Sequence, residues 1–260
     1  MIRSFSSTPY IGIYSFPKSG NTWIRYIVSA LFFEKITSIP DLHQSTITDA
    51  ENCRIRDGQK VKFYKSHTAS IVNVNHRKEI DHVAIIYIYR HPLDVFLSYV
   101  NFLRREVGGK NEAILGNIGF TSVEETIANG DIELFLDAFI LYGTVQPSFV
   151  AASNWFQNVE NWTSSPTVKQ RGRDVRIVAL KYEDILSQGV DALEEVRSLL
   201  GVGREEMERA MISAGENTKI NGKFFWKQKA GNYREMLPEN LIKKFDRYHG
   251  ERVRALGYEI

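Results

Sequence analysis

Cysteine is almost absent from this sequence, since Cys53 is the only one among 260 residues. An internal disulfide and a cysteine cluster for a metal are therefore both excluded. No stretch reaches the roughly 20 apolar residues that a membrane-spanning helix needs, and residues 1–9 lack the apolar core of a signal peptide. These absences predict a protein of the reducing cytoplasm without a membrane span.

A strong charge of either sign is also missing. The 33 Lys and Arg residues nearly balance the 31 Asp and Glu residues, which leaves a formal net charge of +2. Proteins whose main partner is nucleic acid usually carry a strongly basic face, so this balance disfavours that class. Any anion site must then be built locally from a few residues.

Hydrophobic residues make up 43% of the chain, enough for one sizeable core, and we expect a single domain over residues 1–260. Apolar runs rich in β-branched and aromatic residues predict strands that are buried on both faces. They are residues 10–16, 61–65, 83–89 and 175–180. Apolar residues at helical spacing occupy residues 21–34, 93–105, 132–142, 149–162, 184–200, 204–213 and 238–258. This alternation predicts an α/β fold with a central parallel sheet flanked by helices.

In two stretches, the apolar residues follow neither helical nor strand periodicity. Residues 108–129 are rich in Gly and Asn, and residues 216–236 mix Lys, Gly and aromatic residues. Both are long enough for functional loops, and we expect them to be irregular.

The segment SFPKSGNTW, residues 15–23, lies between a predicted strand and a predicted helix. Backbone N–H groups at a helix N-terminus favour a bound phosphate or sulfate. Gly20 permits close approach of the backbone, and Lys18 adds a positive charge. The same turn holds further hydrogen-bond donors on the side chains of Ser19, Asn21 and Thr22. The ordinary alternative is a polar turn before a helix cap.

This loop departs from the phosphate-binding loop of nucleoside triphosphatases. In the pattern G-x-x-x-x-G-K-[ST], Pro17 stands where the second glycine belongs. The strand at residues 83–89 is followed by Arg90, where those enzymes carry a magnesium-binding aspartate. A magnesium-dependent P-loop kinase of small molecules is therefore disfavoured.

Arg90 is a second candidate for an anion site, because a guanidinium matches the oxygens of a phosphate. Pro92 starts the next predicted helix, and Ser98 follows about two turns later, so it is expected to face the same crevice. The alternative for Arg90 is a structural ion pair with Asp94.

Several motifs resemble those of the sulfotransferase family, and they occur in the family's order. FPKSGNTW at 16–23 is similar to P-K-S-G-T-T-W, the 5′-phosphosulfate loop, and Lys65-Ser66-His67 is similar to K-T-H. YRHPLDVFLSY at 89–99 resembles the 3′-phosphate segment Y-R-N-P-x-D-V-x-x-S-Y. KYEDIL at 181–186 carries Y-E-D, and FFWKQKAGNYREML at 224–237 resembles F-x-R-K-G-x-x-G-D-W-K/R.

The resemblance implies a P-loop-like, nucleotide-kinase-like architecture and 3′-phosphoadenosine 5′-phosphosulfate (PAPS) as the donor co-substrate. It makes His67 the base that takes a proton from an acceptor hydroxyl, a role that suits histidine near neutral pH. Lys18 and Lys65 would neutralise charge on the transferring group. No metal is implied. The alternative for His67 is a surface or capping histidine.

At the far end of the donor, the resemblance implies that Trp23 stacks on adenine and that Tyr182 reaches it through its hydroxyl. Ordinary core packing is the alternative for both. Lys227 and Gln228 fall on the family's R-K-G segment, where Trp226 replaces the arginine. This departure puts the 3′-phosphate contacts in doubt.

The acceptor is expected to be a small hydroxyl compound whose identity stays open. Aromatic candidates for its pocket are Phe102, Phe120, Phe139, Tyr142, Phe149 and Trp155. The short C-terminal dimer motif of many relatives has no copy after residue 237, so the oligomeric state stays open too. A noncatalytic nucleotide-binding protein on the same fold is the remaining alternative.

Overall fold

The computed structural model describes residues 8–33, 53–55, 58–71, 81–107, 122–145, 153–220 and 227–260. Its sheet has the strand order β2-β3-β1-β4-β6-β5. The strands are β1 Tyr10–Ser15, β2 Cys53–Arg54, β3 Lys60–Ser66, β4 His82–Tyr89, β5 Thr167–Gln170 and β6 Arg173–Lys181. The four inner strands are parallel, whereas β2 and β5 pair antiparallel at the two edges.

Helices follow and separate these strands. In chain order they are α1 Asn21–Phe32, α2 Pro92–Val107, α3 Val123–Ala128, α4 Ile132–Tyr142, α5 Trp155–Thr163, α6 Tyr182–Gln188, α7 Glu194–Leu200, α8 Arg204–Ile220, α9 Asn232–Met236 and α10 Glu239–Ala255. A 3₁₀ turn, Gly189–Leu193, joins α6 to α7. Within these described ranges, no helix is long and apolar enough to cross a bilayer.

The sheet separates two apolar layers. Side chains of β1, β3 and β4 on one face pack with α1, α6, α7 and α8, and Ile24 and Ile27 of α1 are buried there. The other face packs with α2, α4, α5 and α10, and Trp155 and Trp162 of α5 are buried there. Because both faces are covered, the two central strands β1 and β4 are almost continuously apolar, as their sequence indicates.

Strand register brings the functional motifs to one edge. Tyr14 of β1 lies beside Ser66 of β3, and Tyr89 of β4 lies beside Lys181 of β6. The residues that follow these positions therefore converge where the parallel strands end, the usual crevice of an open α/β sheet.

The α/β class and the four inner strands are confirmed. The irregular stretch at 108–129 was predicted wrongly at its end, because Ser122 accepts a hydrogen bond from the Glu125 N–H and starts α3. The stretch at 216–236 likewise contains the end of α8 and the short helix α9. The single helix expected at 184–200 is interrupted at Gly189, whose φ of 62° is left-handed.

Candidate active site at the carboxyl end of the sheet

The turn between β1 and α1 has a backbone that only glycine accommodates at one position. Gly20 has φ +106°, and a Cβ placed there would lie 2.7 Å from Cδ2 of Tyr182 and 3.0 Å from Cδ1 of Ile88. Lys18 also has a positive φ, of 70°. The chain therefore passes tightly against the start of α6 before it enters α1.

Polar groups of this turn converge at the start of α1. Among the described residues, the buried Oγ of Ser19 has no hydrogen-bond partner. The same holds for Oδ1 of Asn21, an acceptor, whose amide Nδ2 donates to the Ile13 carbonyl at 3.1 Å. Thr22 is half-buried in the first turn, which holds no acidic residue. Buried hydroxyls normally find a hydrogen-bond partner, so the Ser19 hydroxyl is the donor in this turn that an anionic ligand could use.

His67 follows β3 and reaches across to the end of β1. Its Nδ1 lies 2.9 Å from the carbonyl oxygen of Ser15 and 3.2 Å from the Ser15 Oγ. A carbonyl only accepts, so Nδ1 carries a proton, and the neutral form of the ring has its lone pair on Nε2. Ser15 precedes Lys18 by three residues, so the structure brings His67 and the Lys18 turn to the same side of the molecule.

The two candidate lysines lie on the two segments that end at this position, Lys18 just after β1 and Lys65 near the end of β3. Lys18 is half-buried, and its Nζ lies 4.6 Å from the ring centre of Phe102 in α2. Lys65 of β3 is half-buried beside Ile13 in the sheet register. Side chains alternate along a strand, so Lys65 shares the face of Phe63, which stacks on Phe32 of α1.

Arg90 is buried at the end of β4. Its Nη2 donates to the Lys229 carbonyl at 2.8 Å and lies 3.6 Å from Oδ2 of Asp94, and its guanidinium lies 4.5 Å from the ring centre of Tyr182. The expected pair with Asp94 is therefore present. Among the residues that the structure describes, the buried Nε of Arg90 has no hydrogen-bond partner, so a donor remains for a ligand. Ser98 is half-buried at the end of the second turn of α2.

The segment from Lys227 to α9 docks on the start of α2. Asp94 accepts hydrogen bonds from the Gly231 N–H at 2.8 Å and from the Tyr233 N–H at 3.1 Å. Lys227 instead pairs with Glu124 of α3, at 3.3 Å, and Gln228 is exposed. The structure therefore brings the backbone of this segment to Arg90 but directs the Lys227 ammonium towards α3. Trp226 lies outside the described residues.

An aromatic corner lies beside Arg90. Tyr182 is the first residue of α6, and its ring meets Trp23 of α1 edge-on, with centroids 5.6 Å apart and planes at 66°. Trp23 is half-buried, while Tyr182 is 6% exposed. The two residues expected at the adenine end are thus neighbours, separated from His67 by the turn.

The aromatic candidates for the acceptor pocket differ in their exposure to solvent. Phe139 and Trp155 are fully buried in the core, and Tyr142 is 63% exposed on α4. Phe102 is half-buried against Lys18. Phe120 and Phe149 lie outside the described residues.

A buried group beside the site was missed from the sequence. Oε1 of Glu183 accepts from the His91 N–H at 2.9 Å, and Oε2 accepts from the Tyr258 hydroxyl at 3.1 Å. Burial raises the pKa of Glu183. Burial also lowers the pKa of His91 to about 3, and its Nδ1 accepts from the Leu93 N–H, so His91 shapes the turn before α2. In the sequence, the only sign of Glu183 was its place after Tyr182 in the Y-E-D motif.

Comparison with known proteins identifies the fold. The family model described as the sulfotransferase domain matches residues 9–257. The chain belongs to the sulfotransferase family. A curated relative, an amine sulfotransferase of Oryctolagus cuniculus, is 20% identical over 274 residues, which cover 93% of this chain and 80% of the relative.

Solved structures of sulfotransferases share this fold. A mouse sulfotransferase complexed with PAP is 18% identical, with a TM-score of 0.61, over 96% of this chain and 85% of its own. Retinol dehydratase in a complex with retinol and PAP is also 18% identical, with a TM-score of 0.57, over 95% of this chain and 82% of its own. The P-loop-like architecture expected from the motifs is therefore confirmed.

Proposed function

We propose that this sulfotransferase moves a sulfuryl group from PAPS to the hydroxyl of a small acceptor, with His67 as base. One observation carries the proposal. The Nδ1–H of His67 is held by the carbonyl of Ser15, at the end of the strand that leads directly into the Lys18 turn. Nε2 is thereby left to act as the base, and the nearby turn carries a buried Ser19 hydroxyl that has no hydrogen-bond partner among the described residues.

The bonds formed and broken in the proposed transfer, and the proton released, are all accounted for. The acceptor oxygen attacks sulfur and loses its proton to Nε2 of His67, while the bond from sulfur to the bridging phosphate oxygen breaks. The electron pair of that bond leaves with 3′-phosphoadenosine 5′-phosphate (PAP). Lys18 stabilises charge on the departing phosphate and Lys65 on the transferring group. Positioning supplies much of the remaining rate. No metal takes part in this scheme.

The donor would lie along the strand ends. The Lys18 turn, with Ser19, Gly20, Asn21 and Thr22, receives the phosphosulfate. Arg90 receives the 3′-phosphate through its buried Nε, and Ser98 approaches from α2. The aromatic corner of Trp23 and Tyr182 receives adenine. The PAP complexes of the two solved relatives support this choice of donor.

One donor contact depends on a rearrangement. Lys227 pairs with Glu124 and must leave it to reach a phosphate, whereas Gln228 is exposed. This pairing is what favours the second candidate, a noncatalytic nucleotide-binding protein. That protein would bind PAP but transfer nothing.

The acceptor is proposed as a small alcohol or phenol. The neighbour bound to retinol shows that an apolar alcohol can enter a protein of this fold, and the half-buried Phe102 beside Lys18 offers an apolar surface here. Neither nucleic acid nor a membrane is proposed as a partner, and a cytoplasmic location stays a prediction.

The decisive experiment measures donor binding and transfer separately. Calorimetry with PAP should show binding to the wild type, and labelled PAPS with a panel of hydroxyl acceptors should show transfer. His67→Ala should bind PAP as the wild type does while its turnover falls by about two orders of magnitude or more, because a general base contributes roughly 10²–10⁴-fold.

Matched variants separate site effects from charge loss. Lys18→Ala should lower both PAP affinity and turnover, whereas Lys169→Ala, whose side chain is 71% exposed on β5, should lower neither. Near-normal turnover of His67→Ala would remove His67 from the mechanism. PAP binding without transfer to any acceptor would select the noncatalytic candidate. A rise in melting temperature with ATP and magnesium but not with PAP would select a kinase.

A further inference from the structure

We propose that side chains of helix α5 position His67 by binding the main chain of residues 67–69. Asn158 and Trp162 are then positioning residues for sulfuryl transfer. This inference rests on the proposed function. Neither residue is assigned to the donor or to the acceptor, and neither carries a motif from the sequence. Both lie on the buried face of α5, one helical turn apart.

Side chains of α5 donate to three successive carbonyls after β3. Nδ2 of Asn158 donates to the carbonyl of His67 at 3.2 Å, and Nε1 of Trp162 donates to the carbonyl of Thr68 at 3.0 Å. Nδ2 of Asn161 donates to the carbonyl of Ala69 at 3.1 Å. Helical positions three and four apart share a face, so one rigid element fixes the backbone from residue 67 to residue 69.

The orientation of the Asn158 amide is itself fixed. The Tyr87 hydroxyl, from the middle of β4, donates to Oδ1 of Asn158 at 2.8 Å. Nδ2 must then face the His67 carbonyl. Asn158 and Tyr87 are both completely buried, so water does not compete for these hydrogen bonds.

His67 is therefore held from two sides. The carbonyl of Ser15 holds the ring at Nδ1, and α5 holds the backbone that carries the ring. A base transfers a proton efficiently only when its lone pair is aligned with the acceptor hydroxyl, and a misplacement of about 1 Å can lower the rate by roughly 10²-fold. Rotation of the 67–69 backbone would swing Nε2 away from the Lys18 turn.

A purely structural role would predict something different. Buried carbonyls need donors in any fold, so in a purely structural role Asn158 and Trp162 would only stabilise the loop. In that case their loss would lower thermal stability and affect binding and turnover alike. A positioning role instead lowers turnover selectively, and only while His67 is present.

The test compares variants in two backgrounds. Asn158→Leu removes the donor at similar volume, and Trp162→Phe removes the indole N–H. With PAPS and an accepted hydroxyl compound, Asn158→Leu should lower kcat by about 10- to 100-fold and leave the KM for PAPS within about twofold. Trp162→Phe should have a smaller effect of the same kind. Thr163→Val is the matched control on the same helix, because its hydroxyl bonds only to the helix carbonyl of Val159 at 2.8 Å.

The double variant identifies the route of the effect. In a His67→Ala background, Asn158→Leu should lower kcat no further, because a residue that acts through His67 loses its influence when the imidazole is gone. An equal loss in both backgrounds would overturn the proposal. So would a rise in KM or in the Kd for PAP that matches the fall in kcat.

A spectroscopic readout keeps the proposal testable without turnover. In protein carrying ¹⁵N-labelled histidine, His67 of the wild type should show the tautomer protonated at Nδ1. Asn158→Leu, or the milder Trp162→Phe if the first variant does not fold, should shift its ring signals towards a mixture of tautomers, while Thr163→Val should not. Unchanged His67 signals in a folded variant would refute the positioning role. A wild type that transfers no sulfuryl group would refute only the proposed function.

Discussion

Gly20→Ala tests whether the close contact between the Lys18 turn and Tyr182 shapes the site. The new methyl group meets two obstacles. The backbone φ of +106° is unfavourable for a residue with a Cβ, at about 1–2 kcal/mol. The Cβ would also lie 2.7 Å from Cδ2 of Tyr182, and overpacking of this kind costs roughly 1–3 kcal/mol.

Together these terms predict a loss of about 2–5 kcal/mol of unfolding free energy. For a chain of this size, each kcal/mol lowers the melting temperature by about 2–4 °C, so the total is roughly 5–20 °C. PAP affinity should fall as well, because either the turn or the Tyr182 ring must move. Thermal unfolding and calorimetric titration with PAP measure the two effects.

Gly130→Ala provides the control. Gly130 has a φ of +82°, but within the described part of the chain no atom beyond its two neighbours lies within 4 Å of its added Cβ. This variant should show only the backbone cost, with unchanged PAP affinity. If Gly20→Ala matched Gly130→Ala in both stability and affinity, the close packing of the turn against Tyr182 would contribute nothing to folding or to PAP binding. The reasoning would then fail.

Two further predictions concern charge. Burial lowers the pKa of His82 to about 4 from 6.5, so its contribution to stability is complete above about pH 6.5 and is lost as the pH falls. Between pH 7.5 and 5, His82→Gln should therefore lose roughly 2 kcal/mol less unfolding free energy than the wild type, as measured by urea unfolding. An identical pH profile of the two proteins would contradict this. Glu124→Gln should release Lys227 from its 3.3 Å pair and raise PAP affinity by roughly two- to fivefold, the scale of an exposed ion pair. Unchanged affinity by calorimetry would mean that Lys227 does not bind the donor.

The inner sheet could be predicted from the sequence because it depends on local pattern. The runs that became β1 and β4 are apolar on both faces, and such runs have few stable arrangements other than a covered parallel sheet. In β3 and β6 the apolar residues are interspersed with charged ones. The edge strands β2 and β5 carry no such pattern, since one is two residues long and the other alternates with polar residues. Their pairing depends on the neighbour that each one meets.

The positions of Lys18, His67 and Arg90, each shortly after a strand, were also predictable from the sequence. Their partners were not. Lys227 pairs with a carboxylate about one hundred residues away in the chain, on a helix that was expected to be a loop. Asn158 reaches His67 across 91 positions. No spacing in the sequence reports such pairs.

By itself, the sequence determined the fold class and the chemical character of His67, Lys18 and Arg90, and it predicted an anion-binding turn, because periodicity, glycine content and side-chain chemistry are local properties. The tertiary structure decided how those groups are held: which nitrogen of His67 carries the proton, which helix fixes its backbone, and which carboxylate holds Lys227. These features depend on distances between segments far apart in the chain, and only packing of the two layers against the sheet sets those distances.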